Sequence, residues 1–389
     1  MKFNFDEIID RRNTDAVKLE KRKSLFGTDK VLPLWVADMD FRTPDFVIDA
    51  IRERIKHPIL GYTMPPKNMF DAFIRWIETH HQWHMAKGWV GFVPGIVPAL
   101  AYAVQCFTDP DDEVIVQPPV YYPFFNVVKN NGRKLIYNQL IEKNNKFEMD
   151  FDDLEQKITS RTKMLILCNP HNPGGKVWSL QSLQKLDAIC AKNNILVVSD
   201  EVHADMTLSG FHHVPYATVS EYAAMNSVTF MAPSKVFNMP GIISSFYIIP
   251  NANLKQQYAS HLTSSEAHSG NIFAYLATVA CYEKGESWRL SMLEYVEGNI
   301  NYLKNYLKEN IPDIKPMIPE ASFLVWLDCA NLGMDTDELH QFFALKAGLG
   351  LNKGTAFGPG GDNHLRINVA CPRKVLKQAL QQLKDALYV

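Results

Sequence analysis

Met231-Ala-Pro-Ser-Lys-Val-Phe-Asn-Met-Pro-Gly241 is the stretch on which the fold turns. It follows an apolar, β-like run, Val228-Thr-Phe-Met231, and opens into Ala232, Pro233 and Ser234. Lys235 therefore stands where a buried strand gives way to a loop. That is a poor place for an idle charge, because lysines are almost never buried without a task or a partner. Two strands upstream end in a similar way. Val197-Val-Ser-Asp-Glu-Val-His203 closes on an acid, Asp200. Leu165-Ile-Leu-Cys-Asn-Pro-His-Asn-Pro-Gly-Gly175 closes on Asn169 and Asn172.

Helical patterns fall between the strands. Residues 113–117, 163–168, 195–199, 228–231 and 245–249 read as strands, and residues 121–131 and 179–194 as helices. Ser179 is placed as the N-cap of the second helix. Strands alternating with helices give βαβ units and a mostly parallel sheet covered on both faces, an α/β fold. Ligands of such sheets sit beyond the carboxyl ends of the strands. Asn169, Asn172, Asp200 and Lys235 all fall there. An Asn, an Asp and a Lys in that order are what a pyridoxal 5'-phosphate (PLP) site requires. The lysine forms a Schiff base, the aspartate pairs with the pyridinium nitrogen, and the asparagine reaches the ring hydroxyl. Burial lowers the pKa of such a lysine, so that its free amine serves as nucleophile and then as base. Gly95-Ile-Val-Pro98 precedes a helical run to Phe107. Amides at a helix N-terminus hold an anion without a basic side chain. The phosphate is accordingly assigned to the amides of Ile96 and Val97 and to the Ser234 hydroxyl.

The chain has 389 residues, 47% of them hydrophobic and 21% charged, which suits an ordinary globular protein with a full core. A net charge of −2 argues against a general nucleic-acid or anionic-membrane surface. The N-terminus lacks an apolar targeting segment, and no apolar run reaches the length of a membrane span, so a cytoplasmic location is expected. Six scattered cysteines without a C-x-x-C pair read as buried, reduced thiols. The last third differs from the middle. It carries a long amphipathic helix over 287–310, short strands near 323–327 and 364–369, and helices over 336–347 and 372–387. Three parts follow: residues 1–45 as a segment packing on a small domain, 46–285 as a large cofactor-binding domain, and 286–389 as a smaller α+β domain.

Several motifs in order carry a resemblance. They are Leu34-Trp-Val-Ala-Asp-Met-Asp-Phe41, Gly61-Tyr62, Pro119-Val-Tyr-Tyr-Pro-Phe124, Asn169-Pro-His-Asn-Pro-Gly-Gly175, Asp200-Glu-Val-His203, Pro233-Ser-Lys-Val-Phe-Asn238 and Leu365-Arg-Ile-Asn368. With them the chain resembles the PLP-dependent aminotransferases of fold type I, and most of all their cystathionine β-lyase/C–S lyase branch. The resemblance implies Lys235 as the Schiff-base lysine, Asp200 beneath the ring nitrogen, Asn172 on the ring hydroxyl and Tyr121 stacked on the ring. His203 is implied as a buttress of Asp200 or of the cofactor, with an inert core histidine as the other reading. Arg366 is implied as the clamp for the substrate carboxylate, which a guanidinium matches bidentately. Backbone near Ala37 is implied as a further donor to that carboxylate. Tyr62 is implied to reach the phosphate of a neighbouring subunit, so a complete site requires a homodimer. Two places depart from the pattern. Ile243 stands where many aminotransferases of this fold carry an arginine, which favours the lyase branch. Leu19 stands where the C–S lyases carry a tryptophan after Lys18, which bears on side-chain specificity.

The expected activity is PLP-dependent β-elimination from L-cystathionine or another S-substituted L-cysteine, giving pyruvate, ammonia and a thiol. An aminotransferase is the second reading, and a non-catalytic regulatory or partner-binding protein on the same fold is the third. His80, His81 and His84 have helical spacing but no H-E-x-x-H signature, so no metal is expected. Gly358-Pro-Gly-Gly361 lacks the strand–glycines–helix context of a dinucleotide or P-loop site.

Overall fold

A computed structural model describes residues 3–388. Its centre is a seven-stranded sheet. In chain order the strands are β1 (Val90–Val93), β2 (Glu113–Val116), β3 (Lys134–Tyr137), β4 (Thr162–Cys168), β5 (Leu196–Asp200), β6 (Ser227–Met231) and β7 (Ser245–Ile248). Across the sheet the order is β1-β7-β6-β5-β4-β2-β3. The pairs among β3, β2, β4, β5 and β6 are parallel, and β7 runs antiparallel to both of its neighbours. The parallel α/β expectation thus holds for six strands.

Period two explains why helices cover both faces. Val114, Val116, Met164, Ile166 and Val198 belong to one cluster with Leu100, Val104 and Phe124. Ile115, Leu165, Leu167 and Val197 face the other way, into Leu183, Leu186 and Ile189. Alternate side chains of a strand point to opposite faces, so strands this apolar must be covered twice. The second group of partners sits on the helix Leu180–Lys192, and Ser179 caps it by accepting from the Ser182 amide at 3.1 Å.

Several expectations are corrected. Strands β1 and β3 were not expected, and neither was the reversed direction of β7. The helix expected over 121–131 is confined to Pro123–Lys129, because proline belongs in the first turn of a helix. The helix expected over 336–347 is α-helical only over Thr336–Gln341 and then widens into a π-helical turn, Phe342–Lys346. The long helix Glu286–Asn310 and the last helix Arg373–Tyr388 stand close to where they were expected. A second, four-stranded sheet holds β8 (Lys315–Met317), β9 (Leu324–Asp328), β10 (Asn352–Lys353) and β11 (His364–Asn368), in the order β8-β9-β11-β10. Near the N-terminus, Leu32–Pro33 pairs in parallel with Leu349–Gly350, tying that segment to the C-terminal third.

Among the described residues no helix is long and apolar enough to cross a membrane. All six cysteines are free thiols, five of them buried and Cys106 half-buried.

Candidate active site

Register brings the strand ends together. Cys168 pairs with Asp200, and Asp200 with Phe230, so β4, β5 and β6 release their chains at one level of the sheet. Lys235 follows β6 by four residues. Above these ends lies a cavity of about 250 Å³. Ile96, Val97, Tyr121, Asp200, Ser234 and Lys235 all line it, as the sequence reading expected of a single site. Gly95, Pro98, Val202, Pro240, Ile243 and Ser244 complete the wall.

At one end, the helix Ile96–Phe107 begins after Gly95, which has φ +89°. Only glycine adopts that conformation freely. No side chain caps this helix and no acid occupies its first turn. The amides of Ile96 and Val97 have no acceptor within the helix and so can serve an anion. Ile243, half exposed, closes this end where a guanidinium was absent from the sequence.

Asp200 is buried, and its Oδ1 accepts from the Val202 amide at 3.1 Å. Burial pushes its carboxyl up to about 7, against the pull of that amide and of Lys235. A carboxylate in this setting gains from a cationic N–H. Lys235 is half-buried, and its Nζ donates to the Ala37 carbonyl at 2.9 Å. Desolvation, and then the charge of Arg366, bring its amine down to about 8, while Asp38 and Asp200 oppose them. An amine near 8 is a usable nucleophile and base at neutral pH. Tyr121 is half-buried, its phenol pushed up to about 12 mainly by burial, so the phenol stays neutral at neutral pH.

Arg366 is buried on β11. Its Nη1 donates to Asn172 Oδ1 at 2.9 Å, and its Nη2 to the Trp35 carbonyl at 2.8 Å and to Asn352 Oδ1 at 2.6 Å. Its Nε is buried with no partner, and the guanidinium lies over the Phe357 ring at 4.9 Å. Burial lowers its pKa to about 10, which leaves it charged. Asn172 thus joins the arginine to the Tyr121 turn, since its carbonyl accepts from the Tyr121 amide at 3.1 Å. Asn169 turns away, donating to the Val214 carbonyl at 3.0 Å, and so holds the turn.

Three further expected residues are placed as follows. Ala37 presents its carbonyl to the site, where it accepts from Lys235 Nζ at 2.9 Å. The His203 ring is buried and makes no hydrogen bond to Asp200, whose Oδ1 is taken by the Val202 amide. Its Nδ1 has no partner, and burial, followed by the charges of Lys235 and Arg366, holds it neutral with a pKa of about 3. Tyr62 is fully exposed and lies outside the cavity of its own chain. The histidines of 79–84 each face a separate carboxylate: His80 with Glu286 at 3.3 Å, His81 with Asp205 at 2.8 Å and His84 with Glu78 at 3.7 Å. Among the described residues no cluster of three metal-binding side chains forms.

Asn352, Asn368 and Asn238 were missed. Asn352 orients Arg366, as above. Asn368 Nδ2 donates to the Val36 carbonyl at 2.7 Å and to the Asp38 carbonyl at 2.6 Å. Asn238 grips the same segment further along. Asn238 and Asn368 close two of the motifs that carry the resemblance, but a motif does not name the backbone partners of its last residue.

The residues present fit PLP. A buried carboxylate with a raised pKa suits a pyridinium nitrogen, free helix amides suit a phosphate, and a depressed lysine amine suits an aldehyde. A family model described as aminotransferase class I and II matches residues 29–383. The chain is 42% identical to cystathionine beta-lyase PatB of Bacillus subtilis (strain 168), over 99% of this chain and 100% of that one. Among solved structures it is similar to cystalysin from Treponema denticola, which contains PLP. That match has a TM-score of 0.96 and 34% identity, and covers 100% of this chain and 99% of the other. It is also similar to the PLP-bound C–S lyase from Staphylococcus hominis, with a TM-score of 0.93, 36% identity and coverage of 100% and 99%. Strand order, site and comparisons agree, and the chain belongs to the class I and II aminotransferase family.

Proposed function

We propose that this protein is a PLP-dependent carbon–sulfur β-lyase acting on L-cystathionine or another S-substituted L-cysteine. The observation that carries the reading is the meeting of the Lys235 amine and the Asp200 carboxylate in one cavity at the strand ends. Full-length similarity to a cystathionine beta-lyase supports the choice of reaction. When bound, PLP supplies an aldehyde for an amine and a ring that accepts electrons from the substrate's α-carbon.

The chain's own residues do the rest. The Ile96 and Val97 amides and the Ser234 hydroxyl hold the phosphate. Asp200 would keep the ring nitrogen protonated, Tyr121 would supply an aromatic face for the ring, and Asn172 would supply a polar side chain for the ring hydroxyl. Arg366 orients the substrate carboxylate, so the α-C–H bond meets Lys235. The Lys235 amine takes the α-proton, and thiolate leaves the β-carbon. Water then hydrolyses the released enamine to pyruvate and ammonia. In sum, one L-cystathionine and one water give pyruvate, ammonia and homocysteine. Residues 46–285 hold the cofactor in this reading, and residues 286–389 with the 1–45 segment close over the substrate.

A homodimer completes the site, with Tyr62 reaching the partner's phosphate. The support is that Tyr62 is fully exposed beside exposed Ile59, Leu60 and Met64, an apolar run that a single chain leaves in water.

The test separates elimination from transamination. L-Cystathionine without a keto acid should yield pyruvate continuously. Turnover that appears only after an acceptor keto acid is added would reassign the enzyme as an aminotransferase with the same cofactor site.

A further inference from the structure

Asn238 sits three residues beyond Lys235 and has φ +48°. Left-handed backbone is uncommon outside glycine, and asparagine is among the few residues that tolerate it. The side chain is fully used. Its Oδ1 accepts from the Met39 amide at 2.9 Å, and its Nδ2 donates to the Met39 carbonyl at 3.1 Å and to the Phe41 carbonyl at 2.7 Å. Its own carbonyl accepts from Thr43 Oγ1 at 2.8 Å. One amide group therefore pairs with Met39 on both of its backbone atoms, as a neighbouring strand would. Glycine would adopt the backbone but lose the amide, and a larger aliphatic residue would do neither.

Two residues before Met39, the Ala37 carbonyl accepts from Lys235 Nζ at 2.9 Å. The contacts close a ring, from Lys235 along the backbone to Asn238, across to Met39, back to Ala37 and onto the lysine amine. From the other side, Arg366 holds the Trp35 carbonyl at 2.8 Å and Asn368 the carbonyls of Val36 and Asp38 at 2.7 and 2.6 Å. Four successive carbonyls, residues 35–38, are thus each held by a side chain of the site or of the strand that carries Arg366. Lys235 needs such a partner whenever its amine is free, since a half-buried amine without an acceptor is costly and loosely aimed.

We propose that Asn238 is a positioning residue of the reaction. By clamping Met39 and Phe41 it holds the Ala37 carbonyl where that carbonyl receives the free Lys235 amine and aims it at the α-proton. The proposal rests on the functional reading above only in that Lys235 removes an α-proton, a step elimination and transamination share.

The test uses Asn238→Gly, which keeps the backbone conformation and removes the clamp, and Asn238→Asp, which keeps only the acceptor for the Met39 amide. In cofactor-free protein, amide hydrogen exchange of residues 35–41 should quicken about tenfold in Asn238→Gly, with other segments unchanged. In PLP-loaded protein, exchange of the α-hydrogen of L-alanine for solvent deuterium should slow about 10- to 100-fold per bound cofactor, the scale of a small misplacement of a catalytic group. Its KM should stay within about threefold, because uniform binding is untouched. Asn238→Asp should fall between. Unchanged exchange of residues 35–41 would overturn the clamp. Faster exchange there with α-hydrogen exchange within about twofold of the parent would overturn its role in catalysis. Because α-hydrogen exchange needs no sulfur leaving group, failure of the lyase reading leaves this result interpretable.

Discussion

Lys235 and Asp200 form a pair whose ionisation the fold sets in opposite directions. Burial lowers the amine to about 8 and raises the carboxyl to about 7. The Asp200 shift has a consequence for stability without cofactor. A carboxyl raised above its ordinary value binds more protons in the folded than in the unfolded chain between about 4 and 7, so its contribution falls as pH rises through that window. Cofactor-free Asp200→Asn should accordingly gain on the parent from pH 4 to pH 7, by up to about 4 kcal/mol at the top. Thermal unfolding across that range measures the margin. His203 acts on the parent and the variant alike, so the difference isolates Asp200. With PLP bound the order should reverse, because the variant no longer pairs with the ring nitrogen. The residues legible from sequence were those at strand ends: Lys235, Asp200, Ser234 and the Ile96–Val97 amides. Asn238, Asn352 and Asn368 were not legible. Asn238 and Asn368 hold backbone atoms roughly 200 to 330 residues away in sequence, and nothing local specifies such partners.

At the scale of elements, the reading succeeded where hydrophobic periodicity was strong and failed where strands were short or half-exposed. Strand β3 carries Lys134 exposed and its other three residues half-buried, so it offers no apolar run. Strand β1 has only four residues, one of them a glycine, Gly91. That glycine is required, because a Cβ there would lie 2.0 Å from the Tyr247 ring of the paired strand β7. Gly91→Ala should therefore destabilise the β1–β7 pairing well beyond an ordinary surface change, by about 1–3 kcal/mol from overpacking. The fully buried strands allow a second expectation. Ile166→Ala, in the centre of β4, should lower stability by about 2–5 kcal/mol through lost burial and a residual cavity. Ser179→Ala should cost only about 1 kcal/mol, since it removes one cap hydrogen bond. Denaturant unfolding of the three variants ranks these effects.

For the whole molecule, the expected dimer makes a concentration-dependent claim. Tyr62 lies outside the cavity of its own chain, and in the proposed dimer its phenol serves the partner's phosphate. Tyr62→Phe should weaken PLP affinity about tenfold, the worth of one hydrogen bond to a charged group, in fluorescence titrations of cofactor-free protein. Dilution below the dimer's dissociation range should remove the difference between parent and variant. Architecture at this scale was legible as an α/β sheet with its ligand at the strand ends, because that follows from the alternation of elements. The tie between Leu32–Pro33 and Leu349–Gly350 was not, since two residues of pairing leave no pattern.

The most direct measurement follows pyruvate and free thiol together from L-cystathionine, without keto acid, using PLP-loaded parent and Lys235→Ala side by side. Equal amounts of both products from the parent are expected. The variant should fall by on the order of 10³-fold or more, through loss of the base and of the cofactor's attachment. A variant that released pyruvate at near-parental rate would contradict the assignment of Lys235. A parent that released neither product would contradict the lyase itself.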